Sequence, residues 1–321
     1  MRLNPGLDAA IEVYRTLGWD QADPHEAPSL PVGTPDQQRI AKAGLRSGDW
    51  GEFGQIGERT YGWISAVPVQ EALLGVFAVR VGVDAPRAAA VLRITDTVPE
   101  SVITAALAER GPGFAERFIA AACVPSHRGS EWSPTNHAGS ALRLVADLDL
   151  PVPDNLDYLK DWSAYAADLL SGRPHYARLS RREPLDESVI RRRFVEHVRA
   201  GVALGIGATA SFGVVVSQGV RHGWLPRAEA VELAFQGLDV AQRPGDRKAW
   251  AAILLDDLEI SQAEALGRLD LLIPILATGE APTTGRFAPL LVAGAPPARL
   301  PEVLSAALTT NTAKERKSVL A

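Results

Sequence analysis

The stretch PRAEAVELAFQGLDV (226–240) is answered by SQAEALGRLDLLIPIL (261–276) and by PARLPEVLSAAL (297–308). Pro226, Ser261 and Pro297 each carry a helix-start signal, and they stand 35 and 36 residues apart. Each opens an apolar segment of similar build: ELAFQGL, LDLLIPIL and EVLSAAL. Between and after them run further helical patterns, GDRKAWAAILLDDLEI (245–260), GRFAPLLVAG (285–294) and AKERKSVLA (313–321). Paired helices at such a period are the grammar of an α-solenoid, in which each pair buries its apolar face against its neighbours. The expected fold is therefore all-α, a right-handed α-solenoid.

Composition agrees. Hydrophobic residues make up 46% of the 321-residue chain, but aromatics only 6%. Its core must then be built from Ala, Leu and Val, which suits closely packed helices better than a β-sandwich. The net charge of −5 argues against a duplex nucleic-acid binder. Lys42, Lys160, Lys248, Lys314 and Lys317 are the only lysines, so 28 of the 33 cations are Arg. An Arg-rich codon bias accounts for that excess without any function. Cys123 is the only cysteine, which excludes an intrachain disulfide and a cysteine zinc cluster. The N-terminal MRLNPGLDAAIEVYRTLGW has no apolar signal core, and no uncharged apolar run is long enough to span a bilayer. The expectation is a cytoplasmic protein with no membrane partner.

Along the chain, a helix is expected from Leu7 to Leu17. Thr34, Pro35 and Gln37 then form an N-cap, a first-turn proline and a capping-box partner, and Ser47-Gly48 closes that helix. Residues 49–82 read as further helices. Pro86 and Pro99 open two more, and Arg110-Gly111-Pro112-Gly113 stops the second. DNLDYLKDWSAYAADLLSG (154–172) has a helical apolar face, and DESVIRRRFVEHVRAG (186–201) reads as one helix with acids at its start. GATASFGVVVSQGVRHGW (207–224) is β-branched but flanked by helices, and is assigned to helix. Ser261 and Glu264 make a second capping box. The last helix ends at Leu320-Ala321 without a polar cap, so it is expected to pack on something or to belong to a longer array.

Few motifs carry chemistry. Gly205-Ile-Gly207-Ala-Thr-Ala210 resembles the start of a dinucleotide fingerprint but lacks the preceding strand, so close helix packing is the better reading. Cys123, His127 and His137 fit no metal-ligand spacing. Asp147, Asp149, Asp154, Asp157 and Asp161 lack the central Gly and distal Glu of a calcium loop, and Asp256, Asp257 and Glu259 read as a solvated helix end. Trp162, Trp224 and Trp250 are expected in the core. No signature of a hydrolase, kinase, metalloprotease or P-loop is present, and neither a cofactor nor a metal is expected.

The strongest local anomaly is residues 173–199, with eight arginines against four acids in a chain that is acidic overall. Arg178, Arg181, Arg182, Arg191 and Arg192 are the candidates for an anionic partner there. The competing reading is a solvated helix with acid pairs within the chain.

ESVITAALAERGPGF (100–114), RHGWLPRAEAVELAFQGLDVAQRPGDRKAW (221–250), LLIPILATGEAPTTGRFAPLLVAG (271–294) and LPEVLSAALTTNTAKERKSVLA (300–321) together resemble an uncharacterised actinobacterial family of helical-repeat proteins. The resemblance implies HEAT-like helical repeats over residues 99–321, with residues 1–98 as a divergent N-terminal helical region. It supplies no catalytic residues. The function expected is a non-enzymatic scaffold that binds a protein partner through one face of its stacked helices. The alternative is a HEAT-like nucleic-acid-binding or DNA-repair protein that uses the Arg-rich segment at 173–199. An enzyme with a helix-lined pocket is the third reading.

Overall fold

The computed structural model describes residues 5–57, 60–92, 98–124, 137–172, 183–310 and 316. Among these the protein forms seventeen α-helices and a single two-stranded hairpin. It is mostly helical, as the sequence predicts. The chain divides into two compact units, residues 1–162 with 176–192, and residues 163–175 with 193–321.

In the first unit, α1 (Pro5–Thr16) packs on α2 (Pro35–Leu45). Gly44 permits that contact, because a Cβ there would fall 1.9 Å from the carbonyl oxygen of Gly6. The capping box expected at Thr34 is present: its side chain accepts from the Gln37 amide at 3.3 Å, and the Thr34 amide donates to Oε1 of Gln37 at 2.9 Å. The chain then makes a hairpin, β1 (Gly51–Gly57) and β2 (Thr60–Ser65), with Phe53 opposite Trp63 and Gly54 opposite Gly62. This corrects the helical expectation for 49–82 in its first half. Gly51, Gly54, Gly57 and Gly62 disfavour helix, while Phe53, Ile56, Tyr61, Trp63 and Ile64 are residues that strands prefer.

Helices follow: α3 (Glu71–Arg80), α4 (Ala85–Val91), α5 (Glu100–Ala108), α6 (Pro112–Ala122), α7 (Ala138–Asp147), α8 (Leu156–Ser171, of which residues 163–171 belong to the second unit) and α9 (Glu187–Arg191). They pack mainly with the next helix but one: α3 with α5, α4 with α6, α5 with α7, α7 with α9. Trp19, Tyr14 and Phe77 form an aromatic nucleus with centroids 5.1–6.0 Å apart. Three arginines bind backbone carbonyls around this unit. Arg80 donates to Ala27 and Leu30, Arg87 to Leu45, Ser47 and Gly48, and Arg110 to Val79 and Val83. A guanidinium fork satisfies several carbonyls left free at helix ends, which a single ammonium does less well.

The second unit contains α10 (Phe194–Ala203), α11 (Ser211–Arg221), α12 (Arg227–Val240), α13 (Pro244–Ala252), α14 (Gln262–Leu266), α15 (Leu269–Ala277), α16 (Ala281–Val292) and α17 (Leu300–Ala307). The helix expected as one piece over 186–201 is broken between α9 and α10. Arg193 takes a left-handed conformation (φ 54°) where the chain restarts. The β-branched stretch at 211–221 is helix, as assigned. The third repeat start is displaced: the chain at Pro297 is still a turn, and α17 begins at Leu300.

One packing device recurs in this unit at the period of the sequence. Gly201 on α10 faces the ring of Phe212 on α11, and Gly237 on α12 faces the indole of Trp250 on α13. A Cβ at either glycine would lie 2.4 Å from the ring. Those glycines are 36 residues apart. Each lets an aromatic from the following helix lie against the backbone.

Candidate functional site

Of the candidate arginines, Arg178, Arg181 and Arg182 lie outside the described residues, as does Arg173. Arg191 and Arg192 stand at the end of α9. The guanidinium of Arg191 is 3.8 Å from Glu187, one helical turn back, and that of Arg192 is 3.1 Å from Asp149. In the second unit, Arg193 donates to Glu196 at 2.8 Å, and Arg199 to Glu229 at 2.5 Å. The structure thus places these four arginines beside carboxylates.

Sequence reasoning missed the arrangement to which Arg199 belongs. Across the second unit, Arg221 donates to Asp257, Arg227 to Glu264, Arg247 to Glu280, Arg268 to Glu232, Arg286 to Asp256 and Arg299 to Asp270. With Arg199–Glu229, every pair joins residues 29 to 37 positions apart. The pairs also advance in register. Phe194 meets Trp224 with ring centroids 5.4 Å apart, and five residues later Arg199 meets Glu229. Contacts that progress together along both segments mean that α10 and α12 run in the same direction. Arg227–Glu264 and Glu232–Arg268 likewise step forward together. Only the pairing distance, close to the repeat length, could have signalled this in the sequence.

The electrostatic consequences are local. Hydrogen bonds from Arg227 and from Ser261 hold the Glu264 carboxyl down at about 2. Bonds donated to carboxylates raise the pKa values of Arg227, Arg247 and Arg299. His197 is buried on α10 and is pushed down to about 4 by desolvation, although its Nδ1 lies 2.9 Å from the Arg193 carbonyl. The neutral ring, with its proton on Nδ1, donates to that carbonyl.

A buried polar group lies in the first unit. The Glu100 side chain accepts from the Ser140 amide at 2.8 Å, at the N-terminal turn of α7, and sits 3.9 Å from Arg143. Arg143 also donates to the Pro184 carbonyl at 2.9 Å, and Glu183 accepts from the Ser101 amide at the same distance. The carboxylate occupies the anion position at the start of α7. It leaves no room there for another anion, since even a Cβ on Gly139 would lie 2.6 Å from its oxygen. The cluster joins α5, α7 and the chain before α9.

The other sequence candidates resolve in the same manner. Gly207 packs against the Asp246 carboxylate, which also accepts from the Thr209 hydroxyl at 2.9 Å. A carboxylate stands where a pyrophosphate would need to be, and no strand precedes the loop. Cys123 is buried, His137 Nε2 is 3.2 Å from the Ala89 carbonyl, and His127 lies outside the described residues. Among the described residues no three potential ligands gather as a metal site. Trp162 and Trp250 are fully buried. An open depression of about 500 Å³ is lined by Leu255, Ile260, Pro289, Leu290 and Ala293, with Gln262 and Arg286 at its polar edge. It follows a π-helical turn at Ile253–Asp257, and it brings together no acid–base pair. No helix among the described residues is long and apolar enough to cross a membrane.

Comparison with family models, with curated proteins and with solved structures gives no match.

Proposed function

We propose that the protein is an α-solenoid of HEAT-like repeats that holds a protein partner along one face of its stacked helices, without catalysing a reaction. The observation that carries this reading is the register of the Arg–acid pairs at 29 to 37 residues in the second unit. A layer tied only to the layer one repeat away, and running in the same direction, is the organisation of a solenoid. The matched Gly201–Phe212 and Gly237–Trp250 contacts support it. The alternative, phosphate binding through the Arg-rich segment, draws less support because Arg191 and Arg192 both lie beside carboxylates. Mass photometry of the tagged chain recovered from its host tests the scaffold. A stoichiometric complex with a protein partner is expected. Recovery of bare monomer under gentle extraction overturns it.

A further inference from the structure

The hairpin of the first unit has two unlike edges. Ala66 N donates to the Trp50 carbonyl at 2.6 Å, in the register that sets Gly51 opposite Ser65 and Phe53 opposite Trp63. Bonded pairs alternate along antiparallel strands, so residues 62, 64 and 66 turn their backbone groups toward β1. Tyr61, Trp63 and Ser65 turn theirs outward. Among the described residues, β2 has no neighbouring strand but β1, and no backbone group bonds to its outer edge. Thr60, Ile64 and Ser65 are exposed, although the Ile64 side chain lies over Gly54.

Edge strands of soluble proteins are ordinarily guarded by charge, by proline or by a bulge. β1 is guarded in this way. It carries Glu52, its register shifts between Gln55 and Gly57, and the Gln55 side chain donates to the Gly57 carbonyl at 2.9 Å. β2, with the sequence TYGWIS, has no charge and no proline. It combines β-branched and aromatic residues, the types that strands prefer. A two-stranded hairpin alone is marginal in water, and added strands stabilise it.

We propose that β2 pairs antiparallel with β2 of a second copy of this chain, joining two hairpins into one four-stranded sheet with β1 on each outer edge. The sequence of β2 favours its own copy as the occupant. A two-fold axis perpendicular to the sheet keeps the faces in common when opposite residue numbers have an even sum. Centred on Gly62, it sets Gly62 of one copy against Gly62 of the other, Tyr61 against Trp63 and Thr60 against Ile64. Aromatic and β-branched residues are favoured cross-strand neighbours, and no like charges meet. The same register joins the outward backbone groups of Tyr61 and Trp63 as a bonded pair. Such symmetry is closed, so both unguarded edges are covered and the sheet does not grow further. The inference goes beyond the scaffold reading and stands whether or not that reading does.

Sedimentation equilibrium of the purified full chain over a range of concentrations reads the association directly, and a dimer is expected. Tyr61→Pro removes an outward N–H that β1 does not use, and Ile64→Lys adds a guarding charge. Each should weaken the dimer by about tenfold or more, with the helical circular dichroism of the chain unchanged. Ile40→Ser, at an exposed apolar position on α2, should leave the dimer intact. Oxidation of the double variant Thr60→Cys with Ile64→Cys should link the two copies, because the register sets these positions opposite each other. A monomer at every concentration overturns the proposal, as does a dimer unaffected by Tyr61→Pro and Ile64→Lys. A dimer that the paired cysteines fail to link, or that Ile40→Ser disperses, overturns it as well.

Discussion

Arg227 donates from Nη1 to Oε1 of Glu264 at 2.8 Å and from Nη2 to Oε2 at 3.2 Å, so the start of α12 is forked onto the start of α14. The same carboxylate accepts from the Ser261 amide at 2.7 Å and completes the capping box of α14. One side chain thus serves a local cap and a contact 37 residues away.

Removing that carboxylate should cost both roles. Glu264→Ala is expected to destabilise the second unit by about 1–2 kcal/mol, with the cap supplying much of it because the ion pair is solvent-screened. Arg227→Ala, which leaves the cap intact, should cost less. Urea denaturation of the two variants measures the difference, and equal losses would contradict the dual role.

The depressed Glu264 carboxyl gives a pH signature. A folded value of about 2 against an ordinary 4.5 means that the unfolded chain takes up the proton first as pH falls. Its contribution is complete above about 4.5 and fades as pH drops through about 2. The stability gap between wild type and Glu264→Gln should shrink over that window, as followed by denaturant melts at stepped pH. A constant gap would argue against the assigned cause.

His197 acts in a different window. Its folded value of about 4 lies below the ordinary 6.5, so the unfolded state binds the proton first. Stability is full above about 6.5 and declines as pH falls to about 4, by an amount on the order of 3 kcal/mol. His197→Gln should flatten the stability profile between those values. A profile unchanged by the substitution would show that the buried ring is not the titrating group.

The glycine–aromatic contacts are tested by volume. Gly237→Ala drives a methyl to 2.4 Å from the Trp250 ring, and Gly201→Ala does the same at Phe212. Each should destabilise by about 1–3 kcal/mol, as overpacking does. Combining Gly237→Ala with Trp250→Leu should recover part of the loss in a double-mutant cycle. Simple additivity would mean that the pair is not in contact.

Breaking the buried pair in the first unit should be more severe. Glu100→Ala removes the buried acid and leaves Arg143 with only the part-exposed Glu183, 3.5 Å away, at a cost of about 3 kcal/mol. Chemical denaturation of Glu100→Ala beside Glu100→Ala with Arg143→Met gives the test, with the double variant expected to be the more stable of the two.

Features that depend on neighbouring residues were readable from the sequence. The Thr34 and Ser261 capping boxes, the left-handed Gly111 before α6 and the helical state of 211–221 all follow from side chains a few positions apart. The hairpin at 51–65 differs from the helices expected over 49–82 because its glycines disfavour helix and its aromatics favour paired strands. The break at Arg193 was missed because nothing in IRRRFV marks a non-glycine residue for a left-handed turn. As for the candidate site, the Arg excess was visible but its use was not. Whether an arginine meets an acid 30 residues on, or a ring of carbonyls, is decided by packing that no local pattern records.

Ion pairs that reach no more than 37 residues along the chain also bear on how the second unit comes to be folded. Closing a short loop forfeits little chain entropy, and a domain whose contacts are close in sequence crosses a low topological barrier. Each helix of this unit finds its partners within the next two or three to be made, so the unit can acquire structure progressively as the chain lengthens.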